Sequence, residues 1–362
     1  MTLTQRVVGV LAAAVVALAG CAAGGSAQPA ERVELPPGSV PEVLAEADGV
    51  LVGHRRDDRP GLLRLTPDGQ PAEVPLSPAT GYGATASWYA LTAEGGRILG
   101  VGGDRGGAHG NVRWSVWTGD AGGVAERVQA FSTFGGWGAG DLVGAVFASG
   151  GPLLVGSWES AQAGNDVMVW TAAGDEWSRV DVAGTPLEST RTTLNFAVAA
   201  TRAPGGALVT GWQAGASGQK PAVWRQVGGS WQVTSLPDGG RAGIALAARC
   251  GPAECAVAGR VDGRLALWRF VGDRWERVAG VPEIPLGERE PVAAPLIVSG
   301  GALHIAADGD RVRAIEISDG GVTTRAIADV RGPVRALVAS GADAYVIAGE
   351  PAQLWRLPEL LG

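Results

Sequence analysis

Lysine is nearly missing from this chain, with Lys220 the only one in 362 residues, and acids outnumber bases 36 to 29. With a net charge of −7 and no basic cluster, the electrostatic footprint of a nucleic-acid binder is absent. The three histidines, His54, His109 and His304, lie far apart and show no metal-ligand spacing such as H-E-x-x-H. The glycine-rich runs contain no phosphate-loop lysine, and "DGD" at 308–310 reads as a turn because no calcium-loop continuation follows. No cofactor is therefore expected, and no Ser/His/Asp set stands out. The longest apolar run, 7–18, is shorter than the ~20 residues that span a bilayer. Long disordered segments are also excluded, since 46% of residues are hydrophobic and only 18% charged.

Glycine and tryptophan are plentiful instead, with 58 and 13 residues. Glycine is thus about twice its usual share of roughly 7%. This combination suits many tight turns around buried aromatics. Arginine's excess over lysine reads as the coding bias of a GC-rich, actinobacterial genome rather than as a binding patch.

The N-terminus has the layout of a secretory signal peptide, with Arg6 followed by the apolar run. Its end, Leu18-Ala19-Gly20-Cys21, resembles the lipobox of bacterial lipoproteins. That resemblance implies a leader over 1–20, cleavage before Cys21, and a diacylglyceryl group on the Cys21 sulfur. The expected address is the extracytoplasmic side of the cell membrane. Residues 22–31, small and polar, read as a flexible tether. Cys250 and Cys255, five apart in "CGPAEC", suit a disulfide closing a short hairpin outside the cytoplasm. A metal or redox pair is the alternative, although no second Cys/His pair accompanies it.

Internal repeats organise the rest. "MVWTAAGDEWSRVDV", "PAVWRQVGGSWQVTSL" and "LALWRFVGDRWERVAG" each set two tryptophans seven residues apart across a glycine-containing turn. Aligned on the first aromatic or aliphatic position, the units fall at Leu63, Trp117, Trp170, Trp224, Trp268, Ile315 and Trp355, spaced 40 to 54 residues apart. Val124, Trp177, Trp231, Trp275 and Val322 fill the second position in five of them. In a hairpin with a two-residue loop, Trp224 and Trp231 become diagonal neighbours on one face, while Arg225 and Arg269 alternate to the other. Four strands cannot bury both of their faces alone, but units can stack around an axis.

The expected fold is therefore all-β: a seven-bladed β-propeller of four-stranded blades over 32–362. The last unit ends one strand short, and "ERVELP" at 31–36 is available to pair beside "AQLWRL" and close the ring. "SWQVTSLPDGGRAG", with Trp231, Leu236, Pro237 and Arg241, resembles the outer strand and exit of kelch-like propellers of the galactose-oxidase type.

The connections from strand four to strand one are long: 77–86, 132–141, 183–195 and 280–292. Segments 104–112 and 159–167 join strands two and three on the same face, and the opposite face has tight turns. Function concentrates on loops held by a rigid scaffold. The long loops carry Tyr82, Trp88, Trp137, Glu159, Arg191 and Lys220. Candidate ligand-face residues are His54, Trp137, Ser157, Trp158, Glu159, Trp212, Arg260, Asp308 and Glu350, a mixed ring expected around the channel mouth. The favoured function is a membrane-anchored, non-catalytic binding or assembly module for an envelope protein or glycan. The alternative is a hydrolase or lyase of envelope carbohydrate using acids such as Glu159 and Asp308.

Overall fold

The turn between Trp224 and Trp231 shows why the repeats form hairpins. Gly228 and Gly229 both adopt positive φ, 57° and 83°, which glycine reaches without a Cβ clash. A turn of this kind matches the twist of the flanking strands, and the register follows: Val227 faces Ser230 and Trp224 faces Val233. Trp231 stands opposite Gln226, so the two tryptophans share one face diagonally.

The computed structural model describes residues 27–66, 69–106, 110–135 and 139–362; Cys21, His109 and Trp137 lie outside the described residues. It consists of seven antiparallel sheets of at least four strands. Blade 1 comprises Val40–Ala47, Gly49–Arg56, Arg59–Leu65 and Pro71–Glu73. Blade 2 comprises Ser87–Glu94, Arg97–Gly106, Asn111–Asp120 and Gly123–Arg127, with Leu76–Ser77 added in parallel outside. Blade 3 runs Ala139–Ala148, Gly151–Glu159, Asn165–Ala173 and Glu176–Arg179. Blade 4 runs Thr193–Ala203, Gly206–Gly215, Gly218–Val227 and Ser230–Ser235. Blade 5 runs Gly243–Cys250, Cys255–Val261, Arg264–Val271 and Arg274–Arg277. Blade 6 runs Leu296–Val298, Gly301–Asp308, Arg311–Ser318 and Gly321–Ile327. Blade 7 takes Val334–Ser340, Asp343–Ala348 and Gln353–Leu357 from the C-terminus and Glu31–Arg32 from the N-terminus.

Closure is explicit in the register. Glu31 faces Arg356 and Arg32 faces Trp355, and Val33 N donates to Leu354 O at 2.9 Å. The N-terminal segment also reaches blade 6, where Gln28 N donates to Ala326 O and Gln28 O accepts from Ala328 N. The inner strands contact their neighbours in an unbroken cycle from blade 1 to blade 7 and back.

Apolar faces meet between blades. Trp117, Trp170, Trp224 and Trp268, all on third strands, are fully buried, whereas Trp231, Trp275 and Trp355 are half-buried toward the rim. A buried indole N–H needs an acceptor. Trp170 donates to Thr133 O, Trp224 to Pro186 O and Trp268 to Pro237 O, at 2.8–3.0 Å. Each acceptor belongs to the loop entering that blade, so the core tryptophans also fix the connections above them. On the other sheet face, Arg225 of blade 4 lies 4.9 Å from the Phe270 ring centre of blade 5.

Six inner strands carry a register shift near their start, a feature absent from the repeat pattern. Such bulges sharpen strand twist where blades converge on the axis. Cys250 and Cys255 face each other across the first hairpin of blade 5 and are joined by a disulfide. No helix among the described residues is long and apolar enough to cross a membrane.

Candidate functional site: an aromatic groove over blade 2

The loop from blade 1 to blade 2 is organised by one buried carboxylate. Glu126, 8% exposed, accepts from Ala79 N at 2.7 Å, Thr80 N at 2.8 Å and Thr80 Oγ1 at 2.7 Å. Charge-assisted bonds of this type contribute about 1.5–3 kcal/mol each. Thr80 Oγ1 in turn accepts from Gly83 N and caps the short helix α1, Gly81–Ala84. Gly83 has no room for a Cβ beside the Glu126 carboxylate. The helix presents Tyr82, which packs over Gly106 at the end of the second strand and stays 40% exposed.

A second short helix, α2 at Phe131–Phe134, lies in the loop from blade 2 to blade 3. Phe134 is buried against Trp170, whose indole holds Thr133 O, and this seats the helix. Phe131 points outward and is 52% exposed. Between the two helices stands Arg113, its guanidinium 4.0 Å from the Phe131 ring centre and 5.9 Å from that of Tyr82. Among the described residues the Arg113 side chain makes no hydrogen bond or ion pair. Asp104, its cross-strand neighbour, is instead bonded by Thr85 Oγ1 at 2.7 Å. The groove between these loops has a volume of about 390 Å³ and is lined by Tyr82, Arg113, Trp114, Gln129 and Phe131. That volume falls within the range of small-ligand sites, about 300–1,000 Å³. Tyr89, another exposed aromatic, meets Trp114 edge-on at 4.8 Å.

Of the nine residues expected around the channel mouth, eight lie among the described residues, and most of these are buried or engaged within the protein. His54 is only 4% exposed, its imidazole packed over Gly61, and burial holds its pKa below the ordinary value. Gly61, its partner on the third strand of the same blade, has no side chain, and the imidazole occupies that space. Ser157 Oγ accepts from Asp141 N, and Trp158 packs on Trp170 with Arg179 3.8 Å from its ring centre. Trp212 is half-buried and stacked on Phe196, their ring centres 3.8 Å apart. Arg260 donates to Gly287 O, Asp308 is paired with Arg313 at 2.6 Å, and Glu350 with Arg335 at 3.5 Å. Glu159 is exposed on blade 3, three blades away from Asp308 on blade 6. Trp137 lies outside the described residues. Among the other loop residues, Trp88 is buried and Lys220 donates to Gly240 O at 2.6 Å.

The channel opens into a second hollow on the tight-turn face, also about 390 Å³. Its charged groups satisfy one another: Arg249 pairs with Glu46, and Arg202 with Glu94. Arg249 additionally donates to Pro295 O and Leu337 O, so one side chain ties blades 5, 7 and 1 and the connection into blade 6. Near the opposite face, Glu42 accepts from Trp88 N at 2.7 Å, and burial pushes its carboxyl above the usual range despite that bond and Arg55. Among the described residues no group of three or more His, Cys, Asp or Glu is arranged to hold a metal ion.

Fold and ring closure define the class: a seven-bladed β-propeller. Its likeness to solved structures is at the level of fold. A streptogramin B lyase structure superimposes with a TM-score of 0.52 at 13% identity, covering 90% of this chain and 96% of the other. The extracellular domain of a putative hybrid two-component system from B. thetaiotaomicron gives 0.53 at 8% identity, covering 91% of this chain and 40% of that one. No protein-family model and no curated protein sequence matches the chain.

Proposed function

We propose that this propeller is a lipid-anchored, extracytoplasmic binding module whose ligand surface is the groove over blade 2. The observation that carries the reading is the exposure of Tyr82 and Phe131 on two helices that buried groups hold in place. A rim serving solubility alone would carry charge there, whereas exposed aromatics beside an arginine are the composition of binding hot spots. The anchor rests on the leader and on Leu18-Ala19-Gly20-Cys21, which resemble a bacterial lipoprotein signal.

The test has two arms. Cys21→Ala should abolish lipid modification and shift the protein from membrane to soluble fractions; unchanged membrane retention refutes the anchor. Phe131→Ala and Tyr82→Ala should weaken binding to purified envelope polysaccharide or envelope protein at least tenfold, with melting temperature unchanged. Wild-type binding by both variants refutes the groove as the ligand surface.

A further inference from the structure

Arg113 is the unusual group of the groove. Arg127, the other arginine lining the groove, is bonded to Thr118 and paired with Asp175, whereas the Arg113 side chain has no such partner and its cross-strand acid, Asp104, is bonded by Thr85. Arg113 is half-buried and held by the Phe131 ring rather than by an anion. Stacking uses the guanidinium's flat face and leaves its N–H edges able to donate. A planar fork of donors at a fixed place, with no internal acceptor, matches a carboxylate in two-point geometry. The same groove offers the aromatic rings of Tyr82, Trp114 and Phe131, while the Gln129 amide and the Thr80 hydroxyl are engaged within the protein. Glu126 also lines it, but its oxygens are occupied by Ala79 and Thr80.

From this arrangement, and resting on the binding reading above, we infer that the groove over blade 2 recognises an acidic saccharide, with Arg113 taking the carboxylate and the aromatic rings stacking on the sugar. Sugar rings present apolar C–H faces that pack on exposed aromatics. A hexuronate supplies both the carboxylate and the apolar face in one ring. The chain's net charge of −7 disfavours general attraction of polyanions, so the recognition is local to Arg113 and falls with added salt less steeply than a many-contact electrostatic interaction.

The experiment is calorimetric titration of the full chain, in detergent, with hexuronate oligosaccharides and with the same oligosaccharides after reduction of their carboxyl groups. Binding to the uronates should fall at least tenfold on carboxyl reduction and at least tenfold in Arg113→Gln, with Arg113→Lys intermediate and melting temperatures equal. Phe131→Ala should weaken both ligand forms. Equal binding of the reduced and acidic forms, lost in Phe131→Ala, overturns the carboxylate assignment and leaves the groove as a binding surface. Absence of saccharide binding together with capture of acidic peptides, again lost in Phe131→Ala, overturns the saccharide and retains the groove. Binding of neither class, or binding unaffected by both variants, overturns this inference; the second result also removes the groove as the ligand surface.

Discussion

Acid should destabilise this propeller through one histidine. His304 sits on the second strand of blade 6, 1% exposed, where the inner strand is only Leu296–Val298 and the connection before it fills the gap. Burial lowers its pKa from 6.5 to about 4, and its Nδ1 has no hydrogen-bond partner. Between those two values the unfolded chain binds a proton that the folded one rejects. Stability therefore rises with pH across this window and is lost as pH falls from 6.5 toward 4. Lowering the pKa from 6.5 to about 4 corresponds to roughly 3 kcal/mol. Against a typical total of about 5–15 kcal/mol, that is a large fraction.

The measurement is urea unfolding at several pH values between 4 and 7.5 for the wild type and His304→Leu. Leucine fills similar space without a buried polar atom, so the two proteins should be close in stability at pH 7.5. By pH 4 the variant should be the more stable by about 3 kcal/mol. His54, whose pKa burial also lowers, contributes equally to both proteins and cancels in the difference. Glu290, the other titratable side chain on the small cavity beside His304, is engaged by Gly287 N at 3.0 Å. A difference between the two proteins that stays constant across the whole pH range would refute the reasoning, because it would mean that His304 ionises alike folded and unfolded.

Two further outcomes test the scaffold. Deleting 31–37 should lower the melting temperature by more than 5 °C, since it removes the outer strand of blade 7, whereas deleting 22–26 should leave it unchanged; equal melting temperatures would contradict ring closure by the N-terminus. Trp224→Ala should cost about 3–5 kcal/mol in urea unfolding, and Trp231→Ala distinctly less, because only the first is fully buried and bonded to the incoming loop; equal losses would contradict the assigned roles.

The ring was legible because its physics repeats. Each unit needs one large residue on its third strand and a tight turn after it, so the same spacing recurs and can be counted. The free strand at 31–36 followed from the same count, as the last unit lacked a partner. The inner-strand bulges left no comparable signal, because the residues there, Ala197–Ala199 in blade 4 and Ala245–Ala247 in blade 5, are small or aliphatic like most of those strands and include no glycine or proline. His54 and Trp212 show the limit of reading faces from strand ends. The His54 ring lies over Gly61 of its own blade and one face of the Trp212 ring lies on Phe196, and neither contact is visible in linear spacing.

The groove escaped the repeat alignment for a related reason: it is built from what does not repeat. Tyr82 was visible as an aromatic in a long loop, but Arg113 lies on a regular strand and Phe131 in the next connection, and only folding places them together. A usable signal existed in "VQAFSTFGGW", where two phenylalanines three residues apart break the small-and-polar composition of a connecting loop. In the folded chain Phe134 is buried and Phe131 exposed on this short helix. The same division recurs across this face of the ring. Buried groups such as Glu126 and Trp170 hold the loop backbones, so their exposed side chains are positioned before any ligand arrives. Ordering costs that a mobile loop would incur on binding are thereby met during folding, and the rigid ring gives its non-repeating residues affinity that floppy loops would lack.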